Sequence, residues 1–300
     1  PRLEKLLFDY ADIFAEKLGI NQVVESRGAD NIRLEPMSEE VPTTPYIPKV
    51  KIALLHEVRN HIRRMVDSKL IQPSNSPYSS PFLVVKKKTG EIRLVIDFRQ
   101  INLLLKRFNQ NLPSYDELIQ IFLANKVFST VDLTEGFHQL TLDENSSRFT
   151  AFEFEGLKYE YLRLPFGLTS APSHLQSYLA KKISHLSTAR NYVDDVLLAS
   201  PNREEHLGLL KQFFDVCREN KLFLKRLKCS FMSSKVRFLG WEIGPDGVEI
   251  PDDTREVIRK LKTPVNAKEL QKTLGFTNYF RHFVASYSDL VVELYQFVSK

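Results

Sequence analysis

The chain has 300 residues, 43% of them hydrophobic, enough to bury a substantial core in one large domain or two modest ones. Its 42 lysines and arginines against 37 aspartates and glutamates leave a formal charge of +5, too mild to name a partner by itself. No run of about eighteen apolar residues and no signal-like N-terminus occurs, so no membrane partner is expected and the chain reads as soluble, intracellular and cytoplasmic.

In chain order, Leu3, Leu6, Leu7, Tyr10, Phe14 and Leu18 fall at helical spacing and predict an amphipathic helix over 1–19. A polar stretch dotted by Pro36, Pro42, Pro45 and Pro48 predicts an extended arm. Leu55, Val58, Ile62, Met65 and Val66 form the inner face of a helix predicted over 52–70, which the serine- and proline-rich run 74–81 ends. Runs 82–85 and 92–98 flank the turn-like Lys88-Thr89-Gly90 and predict a basic β-hairpin. A helix opens at Leu112-Pro113 and runs to Phe122, followed by a buried strand over Val127–Asp132 that ends in an acid. Runs 149–154 and 157–164 predict a hairpin around Glu155-Gly156, and a helix follows Pro172. Tyr192, Val193, Val196 and Leu197 predict two short strands with Asp194 and Asp195 at the turn between them. Beyond Ser200 the pattern is a helix over 203–220, strands at 236–243 and 248–250 around Pro245-Asp246-Gly247, and helices from Asp253 and Ala267. These last helices are polar and basic enough for a small separate lobe. The fold class is mixed α+β with acids at central strand ends, and no internal repeat is present.

Two adjacent carboxylates against an apolar hairpin repel each other and lose hydration, a costly arrangement unless a cation joins them. Asp132, at another strand end, supplies a third oxygen donor. Three such acids suit two magnesium ions, which at about 4 Å separation activate an attacking hydroxyl and stabilise a leaving oxygen. Basic residues gather in two places: Lys86, Lys87, Lys88, Arg93, Arg99, Lys106 and Arg107, then Lys221, Lys225, Arg226, Lys228, Lys235 and Arg237. Each cluster suits a polyanion such as nucleic acid, or is solvated surface charge. Cys217 and Cys229 read as two reduced thiols, with a redox pair the alternative, and are too few for a zinc site unless His joins them. The start at Pro1, without Met, reads as a piece of something longer.

The segment 128–139, Phe-Ser-Thr-Val-Asp-Leu-Thr-Glu-Gly-Phe-His-Gln, resembles the strand, acid and turn of reverse transcriptases from gypsy-type LTR retrotransposons. So, in order, do 164–172 with Gln176, Tyr192-Val193-Asp194-Asp195, Phe238-Leu239-Gly240-Trp241 and 263–283. The resemblance runs from about Arg33 to Leu290. It implies a right-hand polymerase with a mixed or antiparallel palm sheet, adding dNTPs to a primer on an RNA or DNA template. The implied layout is an N-terminal helix and arm over 1–50, fingers over 51–125 with the basic hairpin 82–98, palm over 126–245 with part of the fingers at 145–165, and thumb with the start of a connection over 246–300.

The resemblance further implies that Asp132, Asp194 and Asp195 are the catalytic acids that bind two magnesium ions, with manganese as a substitute. Asp132 and Asp194 are the firmer ligands, and Asp195 is alternatively a hydrogen-bonded turn carboxylate. Phe137, where gypsy-type elements usually carry Tyr, matches the steric gate beneath the deoxyribose; otherwise it is a core aromatic. Gly136 lets the chain approach the nucleotide, or is an ordinary turn glycine. Leu133 and Phe166 join the nucleotide pocket, Phe166 standing where retroviral enzymes have Gln, and the alternative for Phe166 is core. Lys86 or Lys87 with Arg93 binds the triphosphate, and Lys88 could serve. Lys228 protonates pyrophosphate or touches a backbone phosphate. Tyr192, Val193, Leu239, Gly240 and Trp241 hold primer and template, with Trp241 alternatively a core anchor. Partners implied are an RNA/DNA hybrid or primer–template, dNTPs, and a longer polyprotein with protease, RNase H and integrase, located in the cytoplasm or in virus-like particles. No RNase H activity is expected of this piece. A retired polymerase would have lost an acid or the gate, and neither is lost; a nuclease would explain the acids but not the ordered blocks around them.

Overall fold

In a computed structural model, residues 2–19, 28–38, 40, 41, 50–86, 90 and 92–298 are described. The chain divides into two compact units, Pro1–Glu249 and Ile250–Lys300.

The first unit is built on a four-stranded antiparallel sheet in the order β7-β8-β4-β9, where β4 is Val127–Asp132, β7 Ala189–Tyr192, β8 Asp195–Ser200 and β9 Ser230–Ser233. β4 and β8 are buried along nearly their whole length because helices cover one face and a smaller cluster the other. Helix α7, Arg203–Glu219, supplies Leu210, Phe213 and Phe214 to the large core. It starts where the Asn202 side chain accepts from the amides of Glu204 and Glu205, satisfying two donors that the first turn leaves open. Helix α6, Ala171–Lys182, inserts Leu175, Tyr178 and Leu179. On the other face Phe128, Leu197 and Ala199 meet Leu118 of α4, Tyr115–Leu123, and Phe238 and Ile243 of a three-stranded sheet. That sheet is β10 Val236–Phe238, β11 Trp241–Gly244 and β12 Gly247–Glu249.

The remaining strands form two further sheets: β1 Ile71–Pro73 with β6 Leu157–Tyr161 and β5 Phe152–Phe154, and the hairpin β2 Phe82–Lys86 with β3 Ile92–Ile96. α2, Leu55–Asp67, buries Val58, Ile62 and Met65 at the predicted spacing. α3, Arg99–Leu104, and the short α5, Glu144–Ser147, fill out this region. The second unit carries α8 Asp252–Arg259, α9 Ala267–Asn278 and α10 Tyr287–Gln296, with Leu274 and Phe280 buried.

Several expectations are corrected. The helix over 1–19 ends early: α1 is Arg2–Asp9, and after a 3₁₀ turn Phe14 leaves helical geometry to bridge Leu224. Its ring packs edge-to-face on Phe214 and Phe231, so the apolar spacing served a strap, not a helix. The strand over 236–243 is two strands, broken where Leu239 and Gly240 both take positive φ. The strand β9, which pairs with β4 across a bulge, and the helix α10 were not foreseen. Part of the proposed arm, 42–49, lies outside the described residues, as do Lys87 and Lys88. Among the described residues no helix is long and apolar enough to cross a membrane.

Candidate active site

The three acids are brought together by strand register. β4 runs antiparallel to β8 with Val131 opposite Val196 and Asp132 opposite Asp195. β7 and β8 close with Tyr192 opposite Asp195, which leaves Val193 and Asp194 as a two-residue turn. Asp194 thus occupies the tip, and Asp195 the first position of β8. Like charges facing each other across a pair are destabilising, and Lys228, paired with Asp132, offsets them only in part. Burial, then the neighbouring Asp132, raises the Asp194 carboxyl above its ordinary range, although its own backbone hydrogen bond opposes this. Burial, followed by Asp194 and Asp132, pushes Asp195 up to about 6.

The hairpin tip is held from behind. Val193 takes a left-handed φ of 57°, an uncommon state for a β-branched residue that persists only where the surroundings impose it. Its amide donates to Gln176 Oε1 at 2.7 Å. Gln176 Nε2 donates to the Asn191 carbonyl at 3.1 Å, and Asn191 Nδ2 donates back to Gln176 Oε1 at 3.1 Å. Both side chains are buried, so this clamp from α6 is dry and specific. Gly136 lies against the same tip: a Cβ there would meet Asp194 Cβ and Leu175 Cδ2, each at 3.1 Å. Its place in the sequence reads as an approach to nucleotide; the structure adds a close approach to Asp194.

Lys228, in the turn before β9, donates to Asp132 Oδ2 at 2.9 Å, and this hydrogen bond raises the ammonium above its ordinary range. Among the described residues no group of three or more His, Cys, Asp or Glu side chains is gathered closely enough to hold a metal ion, and the Asp132 carboxylate is turned onto Lys228. The donor set nevertheless fits a hard divalent cation. Three carboxylate-bearing residues share one strand end and one tip, and burial and mutual repulsion in the pair would be relieved by positive charge.

Beside the acids an aromatic wall rises from the turn after β4. Phe137 packs against Phe166 with ring centroids 4.9 Å apart and planes at 69°. The Arg93 guanidinium stands 5.2 Å over the Phe166 ring. Phe166 is 41% exposed, so its sequence alternative as core is set aside, whereas Phe137 is half-buried against the core. Lys86 ends β2 as an exposed residue opposite Ile92, next to Arg93. The Leu133 side chain is buried in the core, and its amide donates to the Asp194 carbonyl at 3.4 Å. Tyr192 and Leu239 pack on one small cluster, which brings the β10–β11 turn beside the acid hairpin. Leu239 and Gly240 form that turn, and Trp241, which follows it, is buried.

Sequence reasoning missed the residues that support these groups. Ser129 of β4 hydrogen-bonds His206 Nε2 at 2.7 Å, and His206 Nδ1 meets Ser200 at 3.0 Å, all fully buried. Ser129 Oγ also accepts from the Met232 amide, tying β9 to β4. Asn102 holds the loop after Leu164 by donating to the Gly167 carbonyl and accepting from the Thr169 amide, both at 2.9 Å. Polar residues in apolar runs are the only signal that could have found them.

A family described as reverse transcriptase (RNA-dependent DNA polymerase) matches residues 85–243, a span that includes the three acids, the aromatic wall and the acid hairpin. The chain belongs to the reverse transcriptase family. It is 34% identical over 300 residues to the retrovirus-related Pol polyprotein from transposon 412 of Drosophila melanogaster, covering 96% of this chain and 24% of that protein. It is 26% identical over 307 residues to the transposon Tf2-3 polyprotein of Schizosaccharomyces pombe, covering 100% of this chain and 23% of the other. The chain therefore spans about a quarter of the length of these curated relatives. In structure it resembles a foamy viral protease-reverse transcriptase in complex with dsDNA, with a TM-score of 0.83 at 24% identity over 99% of this chain and 62% of that one. The same viral protein in complex with an RNA/DNA hybrid gives 0.81 at 22%, over 99% and 40%. These likenesses establish the α+β polymerase fold.

Proposed function

We propose that this reverse transcriptase family chain is the polymerase portion of a longer retrotransposon polyprotein, which adds dNTPs to a primer 3′-hydroxyl on an RNA or DNA template. The observation that carries the reading is the register that sets Asp132 against Asp195 with Asp194 at the tip, one aromatic turn from Phe137. Asp132, Asp194 and Asp195 would hold two magnesium ions, or manganese in their place. When bound, such ions activate the attacking hydroxyl and stabilise the leaving oxygen of phosphoryl transfer.

The protein's own groups orient and discriminate. Phe137 leaves no room for a 2′-hydroxyl, which favours deoxyribonucleotides. Arg93, with Lys86 or Lys87, binds the β- and γ-phosphates, the guanidinium bridging oxygens that an ammonium meets as a point charge. Lys228 holds a proton beside Asp132 and delivers it to the departing pyrophosphate. Tyr192, Val193, Leu239 and Gly240 position the primer end. In this reading residues 51–125 are fingers, 126–245 palm and 246–300 thumb, and the protein works in the cytoplasm or in virus-like particles.

Primer extension on an RNA template with magnesium and dNTPs tests the proposal. Asp194→Asn is expected to lower the rate by at least about a hundredfold. Equal extension by both proteins refutes the site, and no extension by either, with tight hybrid binding, identifies a retired polymerase.

A further inference from the structure

A cavity of about 760 Å³ lies between α2, β3, the turn after β4 and the loop after β6. None of Asp132, Asp194, Asp195 or Phe137 lines it, so it adjoins the catalytic acids without containing them. Its walls are of two kinds. Met65, Leu70, Leu94 and Ile96 are apolar, and Tyr161, His138 and Phe166 add ring surfaces. Four cationic residues, Lys17, Arg64, Arg93 and Arg163, and two acidic ones, Asp67 and Glu135, also line it. Arg163 is only 3% exposed and donates from Nη1 to the His138 carbonyl at 3.1 Å. Neither Arg64 nor Arg93, both exposed, forms an ion pair among the described residues, so each guanidinium is available to an anion at the cavity.

From this combination we infer that the cavity binds a small planar aromatic anion at a site distinct from the catalytic acids. The apolar and ring walls take the aromatic part, and the guanidinium groups take the negative charge. Planarity follows from the ring walls: His138 meets Phe166 edge-on at 5.1 Å and lies near-parallel to Tyr161 at 6.3 Å. The occupant communicates with the nucleotide site through two shared groups. Phe166 touches Phe137 on one side and carries Arg93 on the other, and both Phe166 and Arg93 line the cavity. An anion held in the cavity draws Arg93 toward itself and away from the triphosphate. This regulatory consequence rests on the polymerase reading; the binding site does not.

The test is a fluorescence titration of the full chain with pyrene-1-sulfonate, whose fused ring system is a planar aromatic anion. One saturable site is expected, with a Kd on the order of tens of micromolar. Arg64→Glu, at an exposed position, should weaken it by about tenfold. Ser68→Trp, which fills the cavity from its rim, should remove the saturable site, and Asp194→Asn should leave it unchanged. Binding that ignores both Arg64→Glu and Ser68→Trp overturns the proposal, as does binding lost in Asp194→Asn. In primer extension the same probe should raise the dNTP KM several-fold with kcat unchanged; an unchanged KM at saturating probe overturns the coupling. Because the titration needs no catalysis, a chain that binds the probe but extends no primer would sink the polymerase reading and leave the cavity site standing.

Discussion

Asp195→Asn separates the electrostatic cost of the acid pair from its function. The Asp195 carboxyl is raised from 3.8 to about 6, chiefly by burial and then by Asp194 and Asp132. A raised acid is disfavoured in its ionised form by the fold, so its penalty is fully present above pH 6 and vanishes as pH falls through 6 toward 3.8. A difference of roughly 2 units corresponds to about 3 kcal/mol, which partial solvent access reduces to about 1–2 kcal/mol. Asn keeps the shape and removes the charge. The variant is therefore expected to be about 1–2 kcal/mol more stable than wild type at pH 8 in chelator, with the gap closing by pH 4. Trp241, the chain's single tryptophan, is buried in the same compact unit and reports its unfolding in urea by fluorescence. Magnesium should stabilise wild type more than the variant, because it binds only where the charge is present. An equal stability at pH 8, or a gap that persists at pH 4, would refute the account of the pair as a site destabilised by its own charge.

Burial drives His206 down to about 4 from 6.5, so its stabilising contribution is present above pH 6.5 and lost as pH falls toward 4, by roughly 3 kcal/mol; urea unfolding should lose that acid limb in His206→Gln, and an identical pH dependence in the two proteins would remove the assignment. The His206 and Asp195 effects oppose each other in the same window, so each is read from the difference between wild type and variant. Gln176→Ala leaves the Val193 amide without its acceptor and should cost about 1–3 kcal/mol of stability and about tenfold in kcat with KM for dNTP little changed, and unaltered single-turnover rates would sink the clamp. Phe137→Ala should let ribonucleotides compete, lowering sugar discrimination by at least about tenfold in paired kcat/KM measurements, and unchanged discrimination would remove the gate.

Much of the site was legible in the residues themselves because short-range patterns decided it. The apolar run of β4 ending in Asp132, and Tyr192-Val193-Asp194-Asp195 between two apolar stretches, predict strands and a turn at the observed places. α2 buries the same Val58, Ile62 and Met65 that helical spacing selects. The N-terminal helix failed for the opposite reason: Phe14 satisfies helical spacing, but bridging Leu224 and packing on Phe214 and Phe231 outweigh further helix propensity. Strand β9 was hidden because Ser230–Ser233 carries no alternation, and pairing with β4 alone makes it a strand.

By itself, then, the sequence determined which carboxylates, aromatics and cations exist and which local elements carry them, since these depend on neighbours a few residues away. Only the tertiary structure decided that Asp132 faces Asp195, that Gln176 holds the Val193 amide, and that His206 joins Ser129 to Ser200. It also decided that Arg64 and Arg93 line one cavity. Each of these depends on strand register or on packing between distant segments, where a shift of one residue would turn the side chain to the other face.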